Sequence, residues 1–238
     1  MYKRSIYVMT VMLMILSSAV NAQELGADPK TNSTEKTAED MYMLVNSLME
    51  KGDMSGAEKL LLEIVAKMPS DWKPIKETDE KIVGSFFNDD DFISYSKFFA
   101  PKKRKEILWV GVSYSKAFQD LAYIAIERRD LKSALEYLDR ALTLEPDQVT
   151  SMQEKAYLFA RQGRYQEAYD LYMKSFSVRQ WASDKQRAKA LRGAGASLID
   201  LGKLDESEVM FKRSLELEPG NSVALNELGY ISDLKRKK

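Results

Sequence analysis

A period of about 34 residues recurs in the second half of this chain, and it limits the possible folds more than any other feature. Ala134 and Ala168 stand one such period apart, and their surroundings agree: Asp130-Leu131-Lys132-Ser133-Ala134-Leu135-Glu136-Tyr137-Leu138 matches Arg164-Tyr165-Gln166-Glu167-Ala168-Tyr169-Asp170-Leu171-Tyr172. So short a unit cannot enclose a core of its own and must lean on its neighbours. Within it, Leu121 with Ala125, and Leu135 with Leu138 and Leu142, recur at three- and four-residue steps, which is the period of a helix. Pro146 and Pro219 then stop a second helix in each of two units.

These residues resemble the tetratricopeptide repeat family, whose unit is two antiparallel helices with characteristic residue types at eight positions. The window from Ser115 supplies Phe118, Leu121, Ala122, Ala125, Ala134, Leu138, Ala141 and Pro146. The window from Val149 supplies Met152, Ala156, Phe159, Ala168, Tyr172 and Ser175, but Lys155 replaces an apolar residue and Gln180 stands in place of the proline. The window from Ala188 supplies Leu191, Ala194, Gly195, Leu198, Ser207, Phe211, Ser214 and Pro219. A fourth, from Ala38, supplies Met41, Leu44, Val45, Leu48, Ala57, Leu61, Val65 and Pro69, with Gly52-Asp53 at its turn. Small residues at the crossing points let the helices approach, and larger apolar ones fill the spaces between. The resemblance implies an all-α fold, a right-handed solenoid of helix hairpins.

Two departures interrupt the period. The step from Ala168 to Ser207 is longer than one period, so an extended loop is expected around Arg179-Gln180-Trp181-Ala182-Ser183-Asp184. The step from Ala57 to Ala134 is longer than two periods, which leaves 70–114 as a degenerate repeat or insert. Helices are expected near 75–86 and 89–99, with Pro101 interrupting the aromatic stretch and an irregular or extended segment near 100–114, where Ile107-Leu108-Trp109-Val110-Gly111-Val112 is β-prone. The expected organisation is a repeat over 37–69, the insert over 70–114, three repeats over 115–221, and a capping helix with a basic tail over 222–238.

Positions 1–22 follow the layout of a secretory signal: Lys3 and Arg4, an apolar run from Ile6 to Leu16, and small residues ending at Val20-Asn21-Ala22. Cleavage after Ala22 is expected, because the run is short for a membrane span of about 20 residues. The remaining chain would be exported, with a periplasmic location implied, a flexible leader over 23–36 and no stable membrane insertion. No cysteine is present for lipid attachment.

Composition narrows the chemistry. The 238 residues include no His and no Cys, which removes disulfides, thiolate nucleophiles and the commonest transition-metal ligands. With 36 basic and 36 acidic side chains, nothing global favours nucleic acid. Gly193-Ala194-Gly195-Ala196-Ser197 has the look of a phosphate loop but falls inside a helical window with no strand before it. Asp89-Asp90-Asp91 lacks the glycine and final glutamate of a calcium loop and reads as a solvated helix start. No catalytic residue, cofactor or metal is therefore expected.

Binding is the expected role. In the resembled family the first helix of each hairpin lines a concave groove. On that pattern the fifth positions are Tyr42, Gln119, Gln153, Arg192 and Asn226, and the ninth are Asn46, Tyr123, Tyr157, Ala196 and Tyr230. Amides can donate to and accept from an extended backbone, and tyrosine presents a flat apolar face with a polar tip. Lys116, Arg161, Lys189 and Arg192 would add positive charge. The candidate groove is thus Gln119, Tyr123, Gln153, Tyr157, Arg161, Arg192, Asn226 and Tyr230, and the expected partner is a protein or extended peptide. The family's carboxylate clamp is not reproduced, since the fifth positions of the middle repeats are Gln rather than Lys and the ninth are Tyr rather than Asn. A competing expectation is a self-associating structural module of the cell envelope, a homo-oligomer joined through the aromatic residues of 86–99 and Trp109.

Overall fold

The computed structural model describes residues 37–237. The expected signal and leader, residues 1–36, lie outside the described residues. Among the described residues, ten helices and three short strands follow in order: α1 (Ala38–Glu50), α2 (Met54–Ala66), β1 (Ile75–Glu77), β2 (Lys81–Gly84), α3 (Asp89–Lys103), β3 (Glu106–Trp109), α4 (Tyr114–Glu127), α5 (Leu131–Leu144), α6 (Val149–Arg161), α7 (Tyr165–Ser177), α8 (Asp184–Asp200), α9 (Leu204–Leu217) and α10 (Ser222–Arg236). No helix among the described residues is long and apolar enough to cross a membrane.

The hairpins α1–α2, α4–α5, α6–α7 and α8–α9 stack into an α-solenoid, and the apolar clusters of the repeats are each shared between a hairpin and the element that follows it in the stack. Ala122, Ala125, Ala134 and Leu138 of α4–α5 meet Leu158 of α6. Ala156, Ala168 and Tyr172 of α6–α7 meet Ala194 of α8, and Leu204 and Phe211 of α9 meet Ala224 and Ile231 of α10. In the window from Ser115 every expected core residue from Phe118 to Ala141 is buried. Two expected core residues of the first hairpin lie elsewhere: Leu44 is exposed, because the inward face of α1 is centred on Met41 and Val45, four positions apart, and in α2 Ile64, not Val65, is buried, because it lies three positions after Leu61 on the inward face.

The four turns inside these hairpins share one hydrogen-bond pattern. After α4, Arg129 N donates to Ile126 O and Asp130 N to Ala125 O, and the same pair recurs at Gly52-Asp53, Gly163-Arg164 and Gly202-Lys203. This closing motif needs a left-handed residue, which glycine supplies at three turns. At the fourth the residue is Arg129, with φ of 62°. The glycines within α8 have a different reason. A Cβ on Gly193 would lie 2.4 Å from the Tyr172 ring, and one on Gly195 2.7 Å from Phe211. Close helix packing, not phosphate binding, therefore accounts for the Gly193-Ala194-Gly195 run.

The segment between α2 and α4 departs from the expected helix over 75–86. Pro74 precedes it, Thr78 folds back so that Lys81 N donates to its hydroxyl, and β-branched Ile82 and Val83 follow. The outcome is a sheet of order β1-β2-β3, antiparallel between β1 and β2 with Ile75 opposite Gly84, and parallel between β2 and β3 with Ile82 opposite Ile107. Parallel strands need a long crossover, and α3 provides it. Asn88 caps α3 by accepting from Asp91 N, and the helix runs through Pro101 to end at Arg104 in the left-handed region. Pro101 therefore sits in the last turns instead of ending the helix. The β-prone segment does become a strand, β3, from Glu106 to Trp109.

Candidate functional site

The first helices of the hairpins carry the candidate groove, and their ninth positions stay open. Tyr123 is 42% exposed, Tyr157 44% and Tyr230 52%, and Asn46 and Ala196 lie on the same open register. Packing explains this register: on α4, Leu121, Ala122, Ile124 and Ala125 turn inward around Tyr123, which leaves its ring facing outward. Gln119 and Tyr123 line one pocket of about 330 Å³, together with Met49 of α1 and Glu154 of α6. The side-chain oxygen of Gln119 is buried there without a hydrogen-bond partner. A buried acceptor of this kind costs about 1–3 kcal/mol until a donor reaches it.

The other predicted groove residues divide. Arg161 and Asn226 are exposed, and Arg161 has no ion pair among the described residues. Gln153 is only 2% exposed, and its Nε2 donates to Gln186 O at 2.9 Å. It therefore fixes α6 to the start of α8 and is not a free ladder residue. Arg192 Nη1 pairs with Glu218 at 2.6 Å, Lys189 Nζ with Glu154 at 3.0 Å, and Lys116 with Asp120. The expected positive lining is thus largely neutralised within the chain. Asp120 also accepts from the Tyr42 hydroxyl, whose pKa is pushed well up, first by burial and then by that carboxylate.

A buried polar hub, not anticipated from the sequence, fastens the insert to the repeats. Arg179, in the long loop after α7, is 3% exposed. Its Nε donates to Asp147 at 3.0 Å, its Nη2 to Glu145, and its Nη1 lies 3.5 Å from Asp91 of α3. Gln186 Nε2 donates to the other Asp91 oxygen at 2.8 Å, Gln148 Nε2 donates to Asp91 at 3.3 Å, and the Ser115 hydroxyl donates to Glu145. Burial alone would lower the Arg179 pKa, but the carboxylates around it hold it above its ordinary value and fully charged. The Arg179 guanidinium also lies 4.2 Å over the Trp181 ring, which meets Tyr95 of α3 edge-on at 5.3 Å. Asp91 is accordingly not a solvated helix start. The stretched step from Ala168 to Ser207 did mark the loop that carries Arg179, but no sequence pattern ties Arg179 to an acid as far back as Asp91.

The aromatic stretch proposed for self-association is largely engaged inside the chain. Phe86 and Tyr95 are buried with Ile82, while Ile93, Trp109 and Val110 keep exposed surface. Among the described residues no group of three His, Cys, Asp or Glu side chains converges as a metal site.

Comparison with known proteins agrees with this geometry. Models described as tetratricopeptide repeat match residues 120–175 and 148–218, so the stretch from α4 to α9 carries such repeats. Protein CTR9 homolog of Arabidopsis thaliana is 26% identical over 151 residues, which is 62% of this chain and 13% of that protein. The chain therefore spans only a small part of that relative. Among solved structures, pilF of Pseudomonas aeruginosa superposes with a TM-score of 0.59 at 15% identity, over 84% of this chain and 69% of that one. YrrB, described as a tetratricopeptide protein with an unusual peptide-binding site, gives 0.52 at 16% identity, over 80% of this chain and 74% of its own. At these identities the likeness is one of fold.

Proposed function

We propose that this chain is a non-catalytic exported adaptor, acting within a cell-envelope assembly, that holds an extended segment of a protein partner along the face formed by its first helices. The observation that carries the reading is the shared register of Tyr123, Tyr157 and Tyr230, each about half exposed, the first two on well-packed helices and the third on α10, where only Ala224 and Ile231 are buried. Such rings offer apolar area with a polar tip at low entropic cost. The free oxygen of Gln119 beside Tyr123 suits a backbone N–H of a bound strand. Arg161 and Asn226 add exposed polar contacts. The peptide-binding site named for YrrB supports the same use of this fold. Export rests on the residue pattern of 1–22.

The test is recovery of partner from envelope extract by the tagged chain and by its Tyr123→Ala/Tyr157→Ala variant. A several-fold loss in the variant is expected. Equal recovery would remove the tyrosine face from the reading. Light scattering addresses self-association, since a concentration-dependent dimer would assign the exposed aromatic residues to a second copy instead.

A further inference from the structure

A second cleft, of about 570 Å³, lies between α1 and the insert. Its apolar lining includes Phe86, Phe87, Val112, Trp109 and Met43, of which Trp109 is 38% and Met43 65% exposed. Glu39, Asp89 and Asp90 line the same cleft, are exposed, and have no ion pair among the described residues. The one cation on its wall, Lys116, is already paired with Asp120. Each carboxylate occupies the first turn of a helix, α1 or α3, where it favours the helix dipole. That explains why each helix carries an acid; the fold also brings the first turns of these two separate elements to the lining of one aromatic cleft, with their carboxylates spread along it and not gathered at one point.

We propose that this cleft binds a lysine- or arginine-bearing polypeptide segment. The aliphatic stem would lie against the exposed surfaces of Trp109 and Met43, and the charged head would sit in the field of the Glu39, Asp89 and Asp90 carboxylates. A long cationic side chain combines an apolar stem with a charged end, and an aromatic face attracts the cation. An acidic segment would meet three like charges, with the wall's cation already engaged. The proposal rests on the adaptor reading in taking the ligand to be polypeptide; the cleft shares Tyr42 and Asn46 of α1 with the candidate groove but not Tyr123 or Tyr157.

The experiment titrates the full chain with Ac-Ala-Ala-Lys-Ala-Ala-NH2, its norleucine analogue and its glutamate analogue, following the three tryptophan indole N–H signals by NMR. Trp109→Phe assigns the signal, and Trp72 and Trp181 serve as internal controls. The lysine peptide is expected to move Trp109, the norleucine peptide to bind at least about fivefold more weakly, and the glutamate peptide to leave Trp109 in place. Glu39→Gln/Asp89→Asn/Asp90→Asn should raise the apparent Kd for the lysine peptide at least about fivefold, and Asp89→Glu/Asp90→Glu should not. Should the triple variant lose its helical circular dichroism, Glu39→Gln alone carries the test, with a smaller rise expected. Tyr123→Ala/Tyr157→Ala should leave this titration unchanged, so the cleft and the tyrosine face fail separately. A response to the norleucine or glutamate peptide equal to that of the lysine peptide, a stationary Trp109, or an amide variant of the carboxylates that titrates like the wild type overturns the proposal.

Discussion

Ala134 in α5 and Asp91 in α3 are equally removed from solvent, yet they are buried for opposite reasons. Ala134 is small, and its size lets α4 and α5 close upon each other, so the hairpin gains by excluding water from Leu121, Leu138 and their neighbours. Asp91 is charged, and burying it is costly unless Arg179, Gln186 and Gln148 compensate. The repeats are thus joined by a local rule applied again and again. The insert packs on the solenoid through Trp72 as well, but its helix α3, whose first turn forms one wall of the second cleft, is fastened by this nonlocal polar junction.

Removing the cation of the junction should separate the two regions most. Arg179→Met leaves Asp91 and Glu145 buried without their cation and should cost about 3–5 kcal/mol by urea denaturation. Hydrogen exchange should show the loss first at Ile82 and Val83 in β2, with the α5 amides less affected. Equal loss in both regions would mean that insert and repeats are one cooperative unit. Next in size, Ala134→Leu should overpack the α4–α5 crossing and cost about 1–3 kcal/mol, with the insert amides the less affected.

Smaller changes sharpen the rule within the repeats. Arg129→Gly should stabilise by up to about 1 kcal/mol, because Arg129 occupies the left-handed position that glycine fills in the other three turns. A fall in melting temperature would show that the Arg129 side chain makes an unrecognised contribution. The smallest effect is confined to α10. Glu208 is held at a pKa of about 2 by Lys212 and Lys235, the latter reaching across from α10. A depressed carboxylate pKa gives stability that is present above the unfolded value near 4.5 and lost as pH falls through about 2. Amide exchange in α10 should therefore rise on acidification below pH 4.5, less so at high salt, and Glu208→Gln should flatten that dependence.

The same contrast explains what the sequence discloses. Ala122, Ala134, Leu138, Ala156 and Ala168 are legible because helix crossing repeats with the chain, and a fixed spacing carries the contact. Gly193 and Gly195 are legible for the same reason, as small residues in a packing column. Residues 75–84 misled because their strand pairing with 106–109 is nonlocal, and the turn chemistry at Thr78 outweighs a weak helical pattern. Of the candidate face, Tyr123, Tyr157 and Tyr230 were readable from their place in the unit. The engagement of Gln153 and Arg192 was not, since their partners Gln186 and Glu218 lie in later elements of the chain. Asp91 and Arg179 were each placed, in a helix start and in a loop, but nothing local to either disclosed their pairing.

On the proposed reading the first helices, and not the second, face the partner. Placing a photoreactive benzoylphenylalanine at position 123 or 157, and for comparison at Lys132 in α5 or Lys212 in α9, tests it directly in envelope extract. Crosslinks to one protein species from 123 and 157, with none from 132 and 212, are predicted. Equal crosslinking from all four positions, or crosslinks only from α5 and α9, would contradict the account.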